Sequence, residues 1–173
     1  FASDNGAAIQ APIKILNCNA GFKGRKGTLY EGGIRVPFIV NQPGMVPIQT
    51  LDNLIYFPDM MPTLAALAKG TKHLPKQING INILPLFYGK QVDTDNRLLY
   101  WEFPGKQRAA RKGDWKCVTI HPNQPLELYN LKEDPEETNN LAKKYPRRVK
   151  EFDEEMQRMH IPTPNWPQPG EQF

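Results

Sequence analysis

Apolar and polar positions change their rhythm near residue 97 of this 173-residue chain. Before that point the apolar runs are few and far apart. The run VPFIVN, residues 36–41, is nearly continuous and ends at QPG. It predicts a buried strand, with Pro37 near the start, where a missing N–H is tolerated. In DNLIYFPDMMPTLAALAK, residues 52–69, Met60, Met61, Leu64, Leu67 and Ala68 recur at helical spacing. Pro58 and Asp59 suit a first helical turn, Pro62 fits if it too lies there, and Gly70 suits the C-terminal cap. Together these predict a strand, a loop and a helix packed on one sheet. Residues 1–35 read mostly as loop, with one apolar run at Ile13–Leu16. Residues 71–96 carry no clear period, and INGINILPLFYGK reads as a loop into a short amphipathic segment.

From Arg97 the runs shorten and repeat. RLLYWEF, RAARKG, WKCVTI and LELYNL are strand-like and are separated by PGKQ, GD and HPNQP. That pattern predicts an antiparallel meander with tight turns. Leu141, Tyr145, Val149, Phe152, Met156 and Met159 then recur at steps of three and four. They predict a helix that opens at Pro146, after a short turn, and lays its apolar face on the meander. The tail IPTPNWPQPGEQF reads as extended, wrapping the surface through Trp166. The expected organisation is therefore the end of an α/β domain over residues 1–96 and a small α+β module over 97–173.

Composition narrows the function classes. Seventeen prolines and thirteen glycines exclude a helix bundle or coiled coil. The net charge of +4 favours an anionic ligand only weakly. KEDPEE, KKYPRRVK and EFDEE follow one another, so these charges read as a solvated surface. No aromatic-interleaved basic patch is present, which argues against nucleic acid. No stretch approaches the roughly 20 apolar residues of a membrane-spanning helix. The two cysteines, Cys18 and Cys117, match no zinc spacing; one disulfide and two buried thiols both remain open. The chain opens FASDNG without an initiator Met, as a strand end running into a loop. The expectation is a piece of a longer polypeptide.

Candidate chemistry is sparse. Asp4 and Asn5, before Gly6, are hard oxygen donors of the kind that suit Ca²⁺ or Mg²⁺. The same tripeptide is also a common turn signal. Lys26 stands in GRKGTLYEGGIRVP, residues 24–37, with Gly27 after it. A Lys ammonium offers compact donors to a tetrahedral anion, and glycine lets backbone approach a ligand; plain surface exposure is the competing reading. Glu31 and Arg35 read as a pair that braces the loop. His73, His121 and His160 read as ordinary turn or surface residues. No Ser-His-Asp set, catalytic carboxylate pair or HExxH motif can be assembled.

FASDNG, FKGRKGTLYEGGIRVPFIV, QPG and LIYFPDMMPTLAALA, in that order, resemble the C-terminal half of a sulfatase catalytic domain. RAARKGDWKCV and LELYNLKEDPEETNNLA resemble the small C-terminal module of the same enzymes. The likeness covers almost the whole chain, and Lys-Gly followed by Glu-Gly-Gly-x-Arg-Val-Pro is its most specific part. Among sulfatases the chain looks most similar to the arylsulfatase A and N-acetylgalactosamine-6-sulfatase group. The resemblance implies an alkaline-phosphatase-like α/β fold and hydrolysis of a sulfate ester, on a sugar or aryl alcohol, with formylglycine and Ca²⁺. It implies Asp4 and Asn5 as metal ligands and Lys26 as the catalytic, substrate-binding lysine that contacts the sulfate. It further implies a periplasmic, secreted or lysosomal location.

Two departures stand out. The formylglycine motif, a Cys or Ser followed by Pro-Ser-Arg or a close variant, is absent, and neither Cys18 nor Cys117 sits in such a setting. The expected partner is thus the N-terminal half of the same enzyme, and this chain alone is expected to be inactive. Related bacterial enzymes also often carry His after the Trp-Glu of the WEF run, where Phe103 stands here. Two alternatives accompany this reading. One is a phosphodiesterase or phosphonate hydrolase of the same superfamily, disfavoured by the few histidines. The other is a non-catalytic module that binds a sulfated glycan or a protein.

Overall fold

The computed structural model describes residues 1–8, 10, 16–103, 107–165, 167 and 172. Trp166, most of the Ile13–Leu16 run and the Pro104–Lys106 turn lie outside the described residues. The chain divides into two compact units: Phe1 with Ile39–Arg97, and Ala2–Phe38 with Leu98–Phe173. A cut at residue 97 therefore exists, but residues 2–38 belong with the C-terminal strands. The reason is a set of buried polar contacts, described below, between those two stretches.

In the second unit the strands are β1 (Leu98–Phe103), β2 (Gln107–Lys112), β3 (Trp115–Thr119) and β4 (Glu127–Asn130). They form one four-stranded antiparallel sheet in the order β1-β2-β3-β4, the predicted meander. Its register sets Leu99 opposite Arg111, Ala110 opposite Cys117 and Cys117 opposite Leu128. Among the described residues the unit also holds the short helix α1 (Glu31–Ile34) and the helix α4 (Pro146–Met159). Pro146 opens α4, where its missing N–H costs nothing. The preceding turn is closed by Lys144 and Tyr145 N–H groups donating to the Leu141 carbonyl at 3.0 and 3.1 Å.

Both faces of this sheet are covered. Ala110, Cys117 and Leu128 pack with Phe152 and Met156 of α4. Their sequence neighbours Ala109, Val118 and Tyr129 point the other way, as strand alternation requires, and pack with Leu29 and Tyr30. The sheet is the middle layer between α4 and the glycine-rich loop.

The first unit holds α2 (Met60–Leu67) and α3 (Leu84–Phe87), with a 3₁₀ turn at Phe57–Asp59 leading into α2. Asp59 is fully buried and organises the unit. It accepts both terminal nitrogens of Arg97 at 2.6 Å, and N–H groups of Tyr56 and Ile81 at 3.0 and 2.9 Å. A two-pronged charge-assisted contact with added N–H donors is the geometry that makes a buried carboxylate tolerable.

Two expectations fail here. Residues 36–41 form no strand among the described residues; Phe38 makes an isolated bridge to Ala2, and Ile39 is more than half exposed. A strand needs a neighbour along its length, and among the described residues a short pairing is supplied by residues 1–3 alone. The apolar stripe of α2 is also uncovered, with Met61, Leu64 and Leu67 each more than half exposed. No described helix is long and apolar enough to cross a membrane.

Both cysteines are free. Cys18 is exposed, whereas burial pushes the Cys117 thiol up to about 12. A thiol-reactive disulfide reagent is expected to titrate one cysteine in the native protein and two in denaturant. Two fast-reacting thiols without denaturant would contradict this packing.

Candidate active-site segment

Two stretches of the second unit run side by side. Ser3 N–H donates to Pro37 O at 3.3 Å, Gly6 N–H to Gly33 O at 2.9 Å and Lys26 N–H to Ala7 O at 3.0 Å. Asn19 ties the same stretches together, accepting Ala7 N–H at 3.2 Å and donating to Gly24 O at 2.5 Å. Lys26 is thereby tied by its backbone to Ala7, two residues after the Asp4-Asn5 pair. Asp4 and Lys26 are exposed and Asn5 is half-buried. None of the three side chains has a hydrogen-bond or ion-pair partner among the described residues.

Lys26 sits at the second position of a tight turn. Thr28 N–H donates to Arg25 O at 3.0 Å, and Arg25 N–H donates to Thr28 Oγ1 at 3.1 Å. Gly27 follows with φ +91°, the left-handed conformation that a type II turn demands at its third position. Gly32 and Gly33 serve a different end. A Cβ on Gly32 would lie 2.6–2.7 Å from three carbonyl oxygens, and one on Gly33 would lie 2.0 Å from Thr28 O. These glycines permit backbone-to-backbone contact rather than motion.

Beneath the turn lies a buried charge cluster. The Lys116 ammonium, with no exposed surface, donates to Glu31 Oε1 at 2.8 Å. It also stands 2.9 Å from Glu137 Oε1, as an ion pair without hydrogen-bond geometry. Glu137 Oε2 accepts the backbone N–H of Glu31 at 2.6 Å, so it caps α1 as well. Burial raises the Glu137 carboxyl above its ordinary value, with Lys116 opposing that shift. Arg111 and Arg35 stand farther from Glu31 Oε2, at 3.6 and 3.9 Å. Glu31 is thus a brace, as expected, but its principal partner is Lys116 of β3 and not Arg35.

A second polar cluster joins the loop to β4. Tyr30 and Tyr129 hydroxyls both donate to Glu127 Oε2 at 2.7 Å. Lys23 lies 4.0 Å from the Tyr30 ring centroid and 3.0 Å from the Tyr129 hydroxyl. Burial, followed by the Glu127 carboxylate, pushes both phenols well above their ordinary range, so they remain donors. His160 proves to be more than a surface residue: its Nδ1 lies 2.5 Å from Glu102 Oε1, which Tyr100 also contacts.

The donor chemistry at the loop edge fits a hard cation in part. Asp4 and Asn5 offer oxygens, but Ca²⁺ takes six to eight. Among the described residues no group of three or more His, Cys, Asp or Glu could hold a metal. Asp4 and Asn5 can therefore supply part of such a site and not the whole of it.

A family model described as N-sulphoglucosamine sulphohydrolase, C-terminal, matches residues 22–161. The chain belongs to the sulfatase family and corresponds to its C-terminal part. A protein named "Sulfatase" from Formosa agariphila is 32% identical over 163 residues, which cover 84% of this chain and 29% of the relative. N-acetylgalactosamine-6-O-sulfatase of Bacteroides thetaiotaomicron is 29% identical over 176 residues, 89% of this chain and 34% of the relative. A solved structure from work on glycosaminoglycan metabolism by Bacteroides thetaiotaomicron superposes with a TM-score of 0.79 at 28% identity. It is matched over 91% of this chain and 37% of its own. The α/β class and the sheet-plus-helix module are those of these neighbours. The chain spans about a third of the length of the relatives it matches.

Removing one partner of a buried charge cluster costs about 3–5 kcal/mol, because the remaining charges stay buried and uncompensated. Lys116→Met is expected to lower stability by about that amount at neutral pH in urea unfolding. The sign of its pH dependence follows from the two carboxyls left facing each other. Two carboxylates without their ammonium repel each other only when both are charged, so the deficit grows as pH rises through the carboxyl range and shrinks below it. A deficit of equal size at acid and neutral pH would refute the charge argument.

Proposed function

We propose that this chain is the C-terminal segment of an enzyme that hydrolyses a sulfate ester, and that its Lys26 turn forms one wall of the sulfate site. The observation that carries the reading is the backbone pairing of residues 3–7 with 26–37. Lys26 N–H is bonded to Ala7 O, two residues past the Asp-Asn pair, which supports reading the two stretches as parts of one site. A metal ligand pair and a fixed cation at one edge suit an anionic group whose oxygens gain charge as an S–O bond breaks.

In this reading Asp4 and Asn5 would hold Ca²⁺, which when bound neutralises the sulfate oxygens. The nucleophile is a formylglycine on a segment outside these 173 residues. Lys26 binds and orients the sulfate through its N–H donors. The backbone that follows its turn is anchored by Glu31, Lys116 and Glu137, which fixes where the Lys26 arm begins. Wide specificity differences are left to side chains outside this edge; the substrate class is a sulfated sugar or aryl alcohol.

In the enzyme that carries this chain, Lys26→Ala and Asp4→Ala are each expected to cut aryl sulfate hydrolysis by about 100-fold or more. Asp4→Ala should also weaken Ca²⁺ binding in calorimetry. Wild-type rates in both variants would overturn the assignment.

A further inference from the structure

We propose that Gln107, at the start of β2, is the positioning residue of the Lys26 turn; this rests on the sulfate reading above. Gln107 has only 8% of its surface exposed. Its Nε2 donates to Gly27 O at 2.9 Å, and its Oε1 accepts Leu29 N–H at 3.2 Å. One side-chain amide thus serves the backbone on both sides of Thr28 as a neighbouring strand would, across about 80 residues of sequence. Both partners fix which end of the amide is oxygen, since a carbonyl needs a donor and an N–H needs an acceptor.

The contact falls on the C-terminal side of Lys26, where it joins the turn to the sheet. Lys26 is anchored on its N-terminal side by its own N–H to Ala7 O. On its C-terminal side stands Gly27, which adds no packing of its own: nothing lies within 4 Å of where its Cβ would be. The Gly27 carbonyl is the group Gln107 holds. Without that bond the Gly27–Thr28 peptide is held only through Thr28 and Arg25, so the turn that carries Lys26 loses its contact to the sheet. Displacement of a binding group by an ångström can cost about 100-fold in rate.

Glutamine is the residue that meets the geometry. Glutamate keeps the acceptor for Leu29 but loses the donor and sets a carboxylate against the Gly27 carbonyl. Asparagine carries the same amide on an arm one methylene shorter. Alanine leaves Leu29 N–H, which is buried, without its acceptor.

The test is a double-mutant cycle in the enzyme that carries this chain. Gln107→Ala, Lys26→Ala and the double variant are compared for kcat/KM on an aryl sulfate, beside thermal melting. The expected result is a loss of about 10- to 100-fold for Gln107→Ala alone. In the Lys26→Ala background the same change should cost less than about twofold, since the group it positions is gone. A purely structural role predicts equal losses in both backgrounds. Equal losses, or wild-type activity for Gln107→Ala, would overturn the inference while leaving the sulfate reading intact. Wild-type activity for Lys26→Ala would overturn both. If Gln107→Ala does not fold, the isosteric Gln107→Glu replaces it in the same cycle with the same criteria.

Discussion

Lys116 is the fixed point of the second unit. Its ammonium is removed from water and answered by two carboxylates, Glu31 and Glu137, that come from opposite ends of the sequence. Such a charge is tolerable only while both partners are present. The glycine-rich loop therefore cannot lift from the sheet without stranding a cation, and Glu137 cannot leave without exposing the N-terminus of α1. Hydrophobic contact on the same face, from Leu29 and Tyr30, supplies attraction but little direction. The ions supply the direction.

The surrounding polar groups extend the same logic across the sheet. Gln107 on β2, Lys116 on β3 and Glu127 on β4 each meet the loop at a different place. They hold Gly27, Glu31 and Tyr30 respectively. Lys26 precedes all three of these held residues, one position before Gly27. Gly6, Gly32 and Gly33 let the backbone segments lie against each other at distances no side chain would allow.

The meander and the final helix were legible because their signals are local. Strand alternation, GD and HPNQP turns, and the spacing of Phe152 and Met156 each concern neighbours within a few residues. Pro146 as the helix start follows from its missing N–H. The polar residues of the loop-facing side were not legible in the same way. In QRAARK, WKCVT and ELYN, alternate polar positions read as a face turned to water, yet Gln107, Lys116 and Glu127 are covered by a loop some eighty or more residues earlier. For Glu31 the sequence offered Arg35 as the partner, and that pairing is the weaker one. The VPFIVN run misled for the opposite reason. Its composition suits a central strand, but composition carries no information about whether neighbours exist to pair with it. Asp4, Asn5 and Lys26 came from a family resemblance; the structure's contribution is the backbone pairing that brings their segments together.

The sequence distance of the anchors bears on when the Lys26 turn acquires its shape. The contacts that hold it span roughly 80 to 106 residues. Closing loops of that length is slow and must precede any reward from the contact. During synthesis the turn leaves the ribosome long before Gln107, and longer before Glu137. It spends that interval without its base. The last strands and the residues just after β4 thus act as a completion signal: a chain halted before them has every residue of the loop edge but only the loop's own local contacts to hold it.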